Sequence, residues 1–186
     1  MSSISQQSSP ATTRVWDLGV RLFHWSLVAM VLGAYLTEDL RKVHRYLGYV
    51  VLALLTFRLV WGLIGGRHAR FASFLPGPRR LIAYLRDILS GTERRYLGHN
   101  PAGAAMIVAL LVTLGLVGGS GYMMGMDQYY GKDWLEELHE ALADGLLVLI
   151  ALHVTGVVLA SYRHSENLVR AMISGRKRVD DHPGPY

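Results

Sequence analysis

The stretch that decides the fold reads His139-Glu-Ala-Leu-Ala-Asp-Gly-Leu-Leu-Val-Leu-Ile-Ala-Leu-His153, an apolar run with a histidine at each end. In an α-helix, these fourteen steps rotate the chain by roughly 1400°, about 40° short of four turns, and rise roughly 21 Å. Both imidazoles are therefore expected on nearly one face of one helix. Ionisable side chains inside an apolar span usually mark a functional site, so the stretch predicts two metal centres, one above the other. The alternative is that His139 caps an interface and His153 is a hydrogen-bonded core histidine.

The composition is typical of a small integral membrane protein. Of the 186 residues, 51% are hydrophobic, which is high for a soluble domain. The formal net charge is +5, but the basic residues alternate with long apolar runs, which favours a membrane surface and predicts no nucleic-acid partner. The chain has no cysteine. Disulfides, thiolate-ligated clusters and covalent haem attachment are therefore excluded, and any metal must be held by histidine or carboxylate.

Four apolar runs are long enough to cross a bilayer, which takes about 20 mostly apolar residues. They extend from about Leu18 to Thr37, Val43 to Ile64, Pro101 to Met124 and Leu138 to Tyr162. We therefore predict an all-α integral membrane protein, a four-helix transmembrane bundle over residues 14–177. The uncharged residues 1–13, rich in Ser, Gln and Thr, are expected to form a flexible tail, and residues 178–186 a second tail.

The charges of the connections predict the orientation. Basic residues are concentrated in the 67–100 loop and after the fourth span, whereas Lys132 is the one base between the third and fourth spans. The positive-inside rule then places both termini and the 67–100 loop in the cytoplasm. Within the 67–100 loop, apolar residues at helical spacing predict an amphipathic helix over 78–89 on the membrane surface, and a shorter one is expected over 165–173.

This topology places four histidines at two depths. His24 and His153 lie near the inner ends of the first and fourth spans, and His44 and His139 lie near the outer ends of the second and fourth. Two histidines on facing helices can supply both axial ligands of one haem iron. The sequence therefore predicts two non-covalent haem b groups, one for each pair. Zinc is the competing metal, but it usually takes three or four ligands at one level.

Other residues support these sites more weakly. Gly48, four residues after His44, and Ala143, four after His139, would let a flat macrocycle approach, although small residues also serve ordinary helix packing in membranes. Arg58, fourteen residues after His44, would pair with a propionate of the inner haem or extend to the interface.

The four remaining histidines fall at or beyond the inner surface and are expected to be solvated or interfacial. They are His68, His99, His164 and His182. Of these, His99 opens the third span at the level of the inner haem, where a quinone head group would bind.

The sequence resembles the bacterial cytochrome b561 proteins and the b-type cytochrome subunits of membrane-bound nickel–iron hydrogenases. The matching motifs are Phe23-His24-Trp25, His44-Arg45-Tyr46-Leu47-Gly48-Tyr49, Arg67-His68-Ala69-Arg70-Phe71, Gly98-His99-Asn100-Pro101-Ala102-Gly103, the His139/His153 spacing, and the closing stretch from Glu166 to Gly175. The resemblance covers about residues 14–177 and places the family's haem ligands at His24, His44, His139 and His153. The hydrogenase subunits typically have an additional span, so four spans resemble the shorter cytochrome b561 group.

The expected function is electron transfer across the inner membrane, between a periplasmic redox partner, such as a cytochrome c or a dehydrogenase, and the quinone pool. Two alternatives remain open. One is a superoxide:quinone oxidoreductase, which the resemblance permits and in which Arg41, Lys42 and Arg45 would attract a small anion to the outer haem. The other is a haem-free membrane anchor or metal transporter.

Overall fold

The computed structural model describes residues 12–179, which are mostly helical. Six α-helices and one short 3-10 helix (Phe71–Ser73) lie between two short strands. The elements in chain order are β1 (Thr12–Arg14), α1 (Leu18–Leu36), α2 (Arg41–Ile64), α3 (Pro78–Ser90), α4 (Pro101–Met123), α5 (Asp133–Arg163), α6 (Leu168–Ser174) and β2 (Arg176–Arg178).

The four long helices α1, α2, α4 and α5 are each long and apolar enough to cross a membrane. This confirms the predicted all-α membrane bundle. The last of the four long helices, α5, begins at Asp133, five residues before the predicted start of the fourth span at Leu138. Asp133 and Glu136 lie in its first turn, where negative side chains interact favourably with the positive end of the helix dipole. This acidic segment therefore extends the helix beyond the apolar run.

The long helices pack in the order α1–α2–α4–α5, with α2 between α1 and α4. The centre of the bundle is a small cluster of Val51, Leu55, Leu114 and Leu146, all buried. Many other large apolar side chains on these helices are exposed, such as Val148 at 60%. A protein in water rarely exposes continuous apolar surface of this extent, so these faces are the ones that contact lipid.

The two predicted surface helices are present with small shifts. The first, α3, covers 78–90 where 78–89 was predicted, and Gly91 ends it in the left-handed conformation. The second, α6, begins at Leu168 and not at Ser165. Ser165 has a φ of 47°, which is incompatible with a right-handed helix. The helix starts only after Asn167, whose side chain accepts a hydrogen bond from the Arg170 amide.

The first and last described elements, β1 and β2, form an antiparallel pair in which Thr12 lies opposite Arg178 and Arg14 opposite Arg176. Residues 12, 13 and 178, which were expected in tails, are part of this pair. Their backbone groups are satisfied by the pairing, which the Gly175 carbonyl extends by accepting the Val15 amide at 2.9 Å. The rest of both predicted tails, with His182, lies outside the described residues. We call the end of the bundle that carries β1 and β2 the terminal end, and the opposite end the distal end.

Candidate metal centres

At the distal end, the structure brings His44 and His139 together. His44 lies in the first turn of α2 and His139 in the second turn of α5. Their ring centroids are 6.1 Å apart, with the ring planes at 80°. With metal–nitrogen bonds of about 2.0–2.1 Å, two imidazoles on opposite sides of one metal have ring centroids roughly 6 Å apart. The separation of this pair therefore fits one metal between the two rings.

Hydrogen bonds determine which nitrogen of each ring is available to a metal. Nδ1 of His44 lies 2.9 Å from the Ala34 carbonyl oxygen, which can only accept, so Nδ1 carries the hydrogen. Nδ1 of His139 lies 3.0 Å from Ser120 Oγ, and the Ser120 hydroxyl donates its own hydrogen to the Val117 carbonyl. Ser120 therefore accepts from His139. Both rings keep the Nε2 lone pair for a metal, the usual arrangement of a ligating histidine and its hydrogen-bond partner.

Glycines on α2 and α4 leave room at this site. A Cβ at Gly121 would lie 3.0 Å from Cε1 of His139, closer than most real contacts, so glycine is what lets the ring lie against α4. A Cβ at Gly48 would meet no atom within 4 Å. Gly48 therefore borders open space one turn after His44, where the sequence predicts that a macrocycle approaches the helix.

At the terminal end, His24 and His153 lie close enough to interact electrostatically. Nδ1 of His24 is buried without a hydrogen-bond partner, and its ring meets the Trp25 ring edge-on at 5.1 Å. An unpaired buried polar atom costs about 1–3 kcal/mol, and only a group that contacts Nδ1 itself would remove this cost. Within residues 12–179, no group of three or more His, Asp or Glu side chains is placed to hold a metal ion.

Arg58 is buried, with only 3% of its surface exposed. Its Nη1 donates to the Ala69 carbonyl at 3.0 Å, and the guanidinium carbon lies 4.7 Å from the centre of the Phe71 ring. The segment that follows α2 therefore folds back over this arginine. The predicted contact between Arg58 and a haem propionate stays a prediction.

His99, which was expected to be solvated or interfacial, is partly buried. Its ring lies between the rings of Trp16 and Phe74, with centroids 4.5 Å from each. Nδ1 is buried without a partner. Burial, followed by the charges of Arg58, Lys177 and His68, lowers the pKa of His99 to about 3. This imidazole is therefore neutral throughout the physiological range.

The sequence reading also missed a buried ion cluster at the terminal end, formed by Arg95, Glu166 and Lys177. Arg95 Nη2 lies 2.9 Å from Glu166 Oε1, and Lys177 Nζ lies 3.4 Å from Glu166 Oε2. Glu166 and Lys177 are 8% and 6% exposed. The cluster joins the segment before α4 to the segment after α5. Glu166 was recognisable as an acid between basic residues at the end of the chain, although its partners were not.

A surface cleft of about 440 Å³ opens at the start of α2, close in sequence to His44. It is lined by Asp39, Leu40, Arg41, Lys42 and Val43. Arg41, Lys42 and Asp39 are all exposed, so the lining carries two positive charges against one negative charge.

Comparisons with known proteins agree on one family. The family model described as prokaryotic cytochrome b561 matches residues 15–175. A probable Ni/Fe-hydrogenase B-type cytochrome subunit of Azotobacter vinelandii is 24% identical, over 91% of this chain and 90% of that protein. Proteins of the same description from Bradyrhizobium diazoefficiens and Rhodobacter capsulatus are 21% and 22% identical, over 91% and 90% of this chain and 87% and 82% of their own lengths. No solved structure matches the chain.

Proposed function

The chain belongs to the prokaryotic cytochrome b561 family, and from that premise we propose that it carries electrons across the inner membrane between a periplasmic redox partner and the quinone pool. Family membership, with the four membrane helices, makes it a multi-pass inner-membrane protein and a b-type cytochrome of electron transfer. It also decides against a haem-free anchor or metal transporter. The proposal adds the number of haems, their ligands, the partners and the route.

We assign one haem b to His44 and His139 and a second to His24 and His153. Haem b supplies one-electron redox chemistry when bound. The observation that carries the assignment is the distal pair, whose rings are 6.1 Å apart and whose Nδ1 atoms are both held by other groups. The protein's task there is to orient the rings and present Nε2.

Two further residues are assigned supporting roles. Gly48 leaves space for the haem beside His44, because no atom lies within 4 Å of where its Cβ would be. Arg58 is assigned to pair with a propionate of the haem at the terminal end: it contacts one carbonyl and one ring, and of the protein's own carboxylates Asp17 is the one that interacts with its charge.

A cytochrome c or a dehydrogenase suits the periplasmic partner better than a hydrogenase. The relatives are described as hydrogenase subunits, but the alignment with the Azotobacter vinelandii protein extends over 218 positions, more than the 186 residues of this chain. That relative therefore carries insertions that this chain lacks. Surfaces built from such insertions are not available here to bind a hydrogenase.

The cleft at the start of α2 favours a second candidate function, a superoxide:quinone oxidoreductase. Exposed Arg41 and Lys42 line it, and positive charge at a cleft raises the local concentration of a small anion. Two superoxide ions would each lose one electron and leave as dioxygen, and one quinone would take up the two electrons and two protons to become a quinol.

The assignment is tested by counting haems and removing ligands. The purified protein should contain two haem b per chain by the pyridine haemochrome assay. His44→Ala and His139→Ala should lose the same spectral component, and His24→Ala and His153→Ala the other. His68→Ala, which replaces a histidine outside both pairs, should keep both haems. One haem in the wild type, or loss of the same component from His24→Ala and His139→Ala, would refute the two-centre assignment.

A further inference from the structure

A groove of about 380 Å³ runs along α1 at the terminal end of the bundle. It is lined by Leu18, Arg21, Leu22, Trp25 and Ile173. Leu18, Leu22 and Trp25 are four and three residues apart, which puts them on one face of the helix. Their exposed fractions are 53%, 59% and 39%, so this apolar face is open to the surroundings of the bundle.

Arg21 is the one charged residue in the lining. Its Nη2 donates to the Ile173 carbonyl, which ties α6 to α1, and its Nε is buried without a partner. A Cβ at Gly175 would lie 3.3 Å from both Cδ and Nη1 of Arg21, so glycine leaves room for the guanidinium beside the turn that follows α6. The positive charge is therefore held at one end of an apolar groove.

The surroundings of the groove are positive as well. Arg14 and Arg176 are paired across the strands next to Gly175, Arg170 lies on α6, and all three are exposed. The acid nearest in sequence to Arg21 is Asp17, whose carboxylate accepts hydrogen bonds from the Val20 amide and the Trp61 indole. Asp17 is therefore directed toward α2 and does not neutralise the basic residues around the groove.

The groove also lies at the depth of a membrane interface. Arg21 is in the first turn of α1, and Trp25 lies four residues further along, about 6 Å deeper at 1.5 Å per residue. Tryptophan is enriched at the boundary between head groups and hydrocarbon, and juxtamembrane arginines attract anionic lipids. A charged end followed by an apolar channel thus matches a phosphate followed by an acyl chain.

We propose that this groove is a binding site for an anionic phospholipid, with the phosphate at Arg21 and an acyl chain along Leu18, Leu22 and Trp25. A bound lipid would contact α1 and α6 together and would hold the terminal segment against the bundle at the membrane surface. The site is independent of the haem assignment, because none of its lining residues is a proposed ligand.

Native mass spectrometry of the haem-loaded protein, titrated with phosphatidylglycerol or phosphatidylcholine, tests the site. Phosphatidylglycerol should bind at least about fivefold more tightly, because one basic residue near an anionic lipid contributes about 1 kcal/mol. Leu22→Trp should fill the groove, keep every charge and weaken this binding. Leu32→Trp is the matched control, because Leu32 lies on the same helix, is 57% exposed against 59% for Leu22, and does not line the groove.

Charge variants test the contribution of the lipid head group separately from that of the acyl chain. Arg21→Gln should reduce the preference for phosphatidylglycerol about fivefold, and Arg176→Gln, which leaves the Arg21 contact with α6 intact, should reduce it in the same direction. Haem content reports that each variant is folded. Equal binding of both lipids by the wild type, or equal effects of Leu22→Trp and Leu32→Trp, would overturn the proposal. Loss of co-purified quinone with unchanged phosphatidylglycerol binding in Leu22→Trp would also overturn it, in favour of a quinone-tail site.

Discussion

The hydroxyl of Ser120 controls how His139 is presented. Ser120 is buried, 5% exposed, and its one hydrogen is directed to the Val117 carbonyl, so its oxygen accepts from the imidazole. His44 also carries its hydrogen on Nδ1, because this atom donates to the Ala34 carbonyl of α1. Each ring is thus oriented by a neighbouring helix, and the ligand geometry depends on how the helices pack.

Ser120→Ala should weaken the haem at the distal end without affecting the other. Loss of a partner that orients a ligating histidine typically lowers metal affinity about 10–100-fold. Haem titration of the apoprotein, followed by optical spectra, measures the affinity of each centre. Thr56→Ala is the control, because the Thr56 hydroxyl is exposed and bonds to a carbonyl of its own helix. Equal losses in the two variants would show that Ser120 does not orient the ligand.

At the scale of elements, the short α6 and β2 depend on the ion cluster of Arg95, Glu166 and Lys177. Seven and three residues are too few to be stable alone. The Glu166 carboxylate also accepts the Arg178 amide at 3.2 Å, and Lys177 Nζ donates to the Tyr96 carbonyl at 2.9 Å. These contacts attach β2 and the segment before α6 to the loop that leads into α4.

Glu166→Ala should destabilise the protein, because it removes the carboxylate that Arg95 and Lys177 share; breaking a buried ion pair costs up to about 3–5 kcal/mol. Thermal unfolding in detergent measures the change. Glu38→Ala removes an exposed carboxylate at the other end of the bundle and should have little effect. A similar loss in both variants would mean that net charge, and not the cluster, sets the stability.

The same cluster predicts a dependence on pH. Burial alone would raise the pKa of Glu166, but the hydrogen bond from Arg95 and the charges of Lys177 and Arg95 outweigh it, so the pKa lies below its ordinary value of 4.5. A lowered pKa means that the carboxylate contributes stability above pH 4.5 and that this contribution is lost as the pH falls through the lowered value. As the pH is lowered from about 7 to about 3, the melting temperature of Glu166→Gln should fall less steeply than that of the wild type. Parallel curves would contradict the assignment.

At the scale of the whole molecule, the asymmetry of charge between the two ends predicts the orientation in the membrane. The chain has no cysteine, so single cysteines report accessibility without background. Gln128→Cys and Ala72→Cys both replace exposed residues, one in the loop after α4 and one in the loop after α2. In spheroplasts, an impermeant maleimide should label Gln128→Cys directly and Ala72→Cys only after permeabilisation. The reverse pattern would invert the proposed topology.

The connection between α4 and α5, together with the first two turns of α5, carries five acidic residues against one base, Lys132. They are Asp127, Asp133, Glu136, Glu137 and Glu140, and all five are exposed. Such a patch would attract a basic partner such as a cytochrome c, speeding association by roughly 10–1000-fold at low salt. The alternative is a solvated acidic loop in which Asp133 and Glu136 serve only the start of α5.

Neutralising Asp133, Glu136 and Glu137 together should slow reduction by a basic partner and flatten its salt dependence, with haem content unchanged. Salt screens such attraction beyond a Debye length of about 10 Å at 0.1 M, and stopped-flow measurements across a salt series follow it. An unchanged reduction rate and an unchanged salt dependence would indicate that the patch is only a solvated acidic loop. A faster rate would indicate an anionic substrate and favour the superoxide reaction.

The sequence by itself determined the four spans, the surface helix before α4 and the histidine pairs expected at two depths. Hydropathy and helical periodicity are properties of a continuous stretch, so segments such as 101–123 and the His139/His153 spacing are readable without knowing what packs against them. Each family motif is likewise a short continuous stretch, so it can be recognised without knowing the tertiary structure.

Only the tertiary structure decided which groups orient the rings, that His99 packs between two aromatic rings, and that residues 12–14 and 176–178 pair as strands. The Ser120–His139 contact joins residues 19 apart on two helices, and the Arg95–Glu166 pair joins residues 71 apart. No local pattern encodes such a contact, because hydrogen bonds and ion pairs form only at distances that the packing of the helices sets.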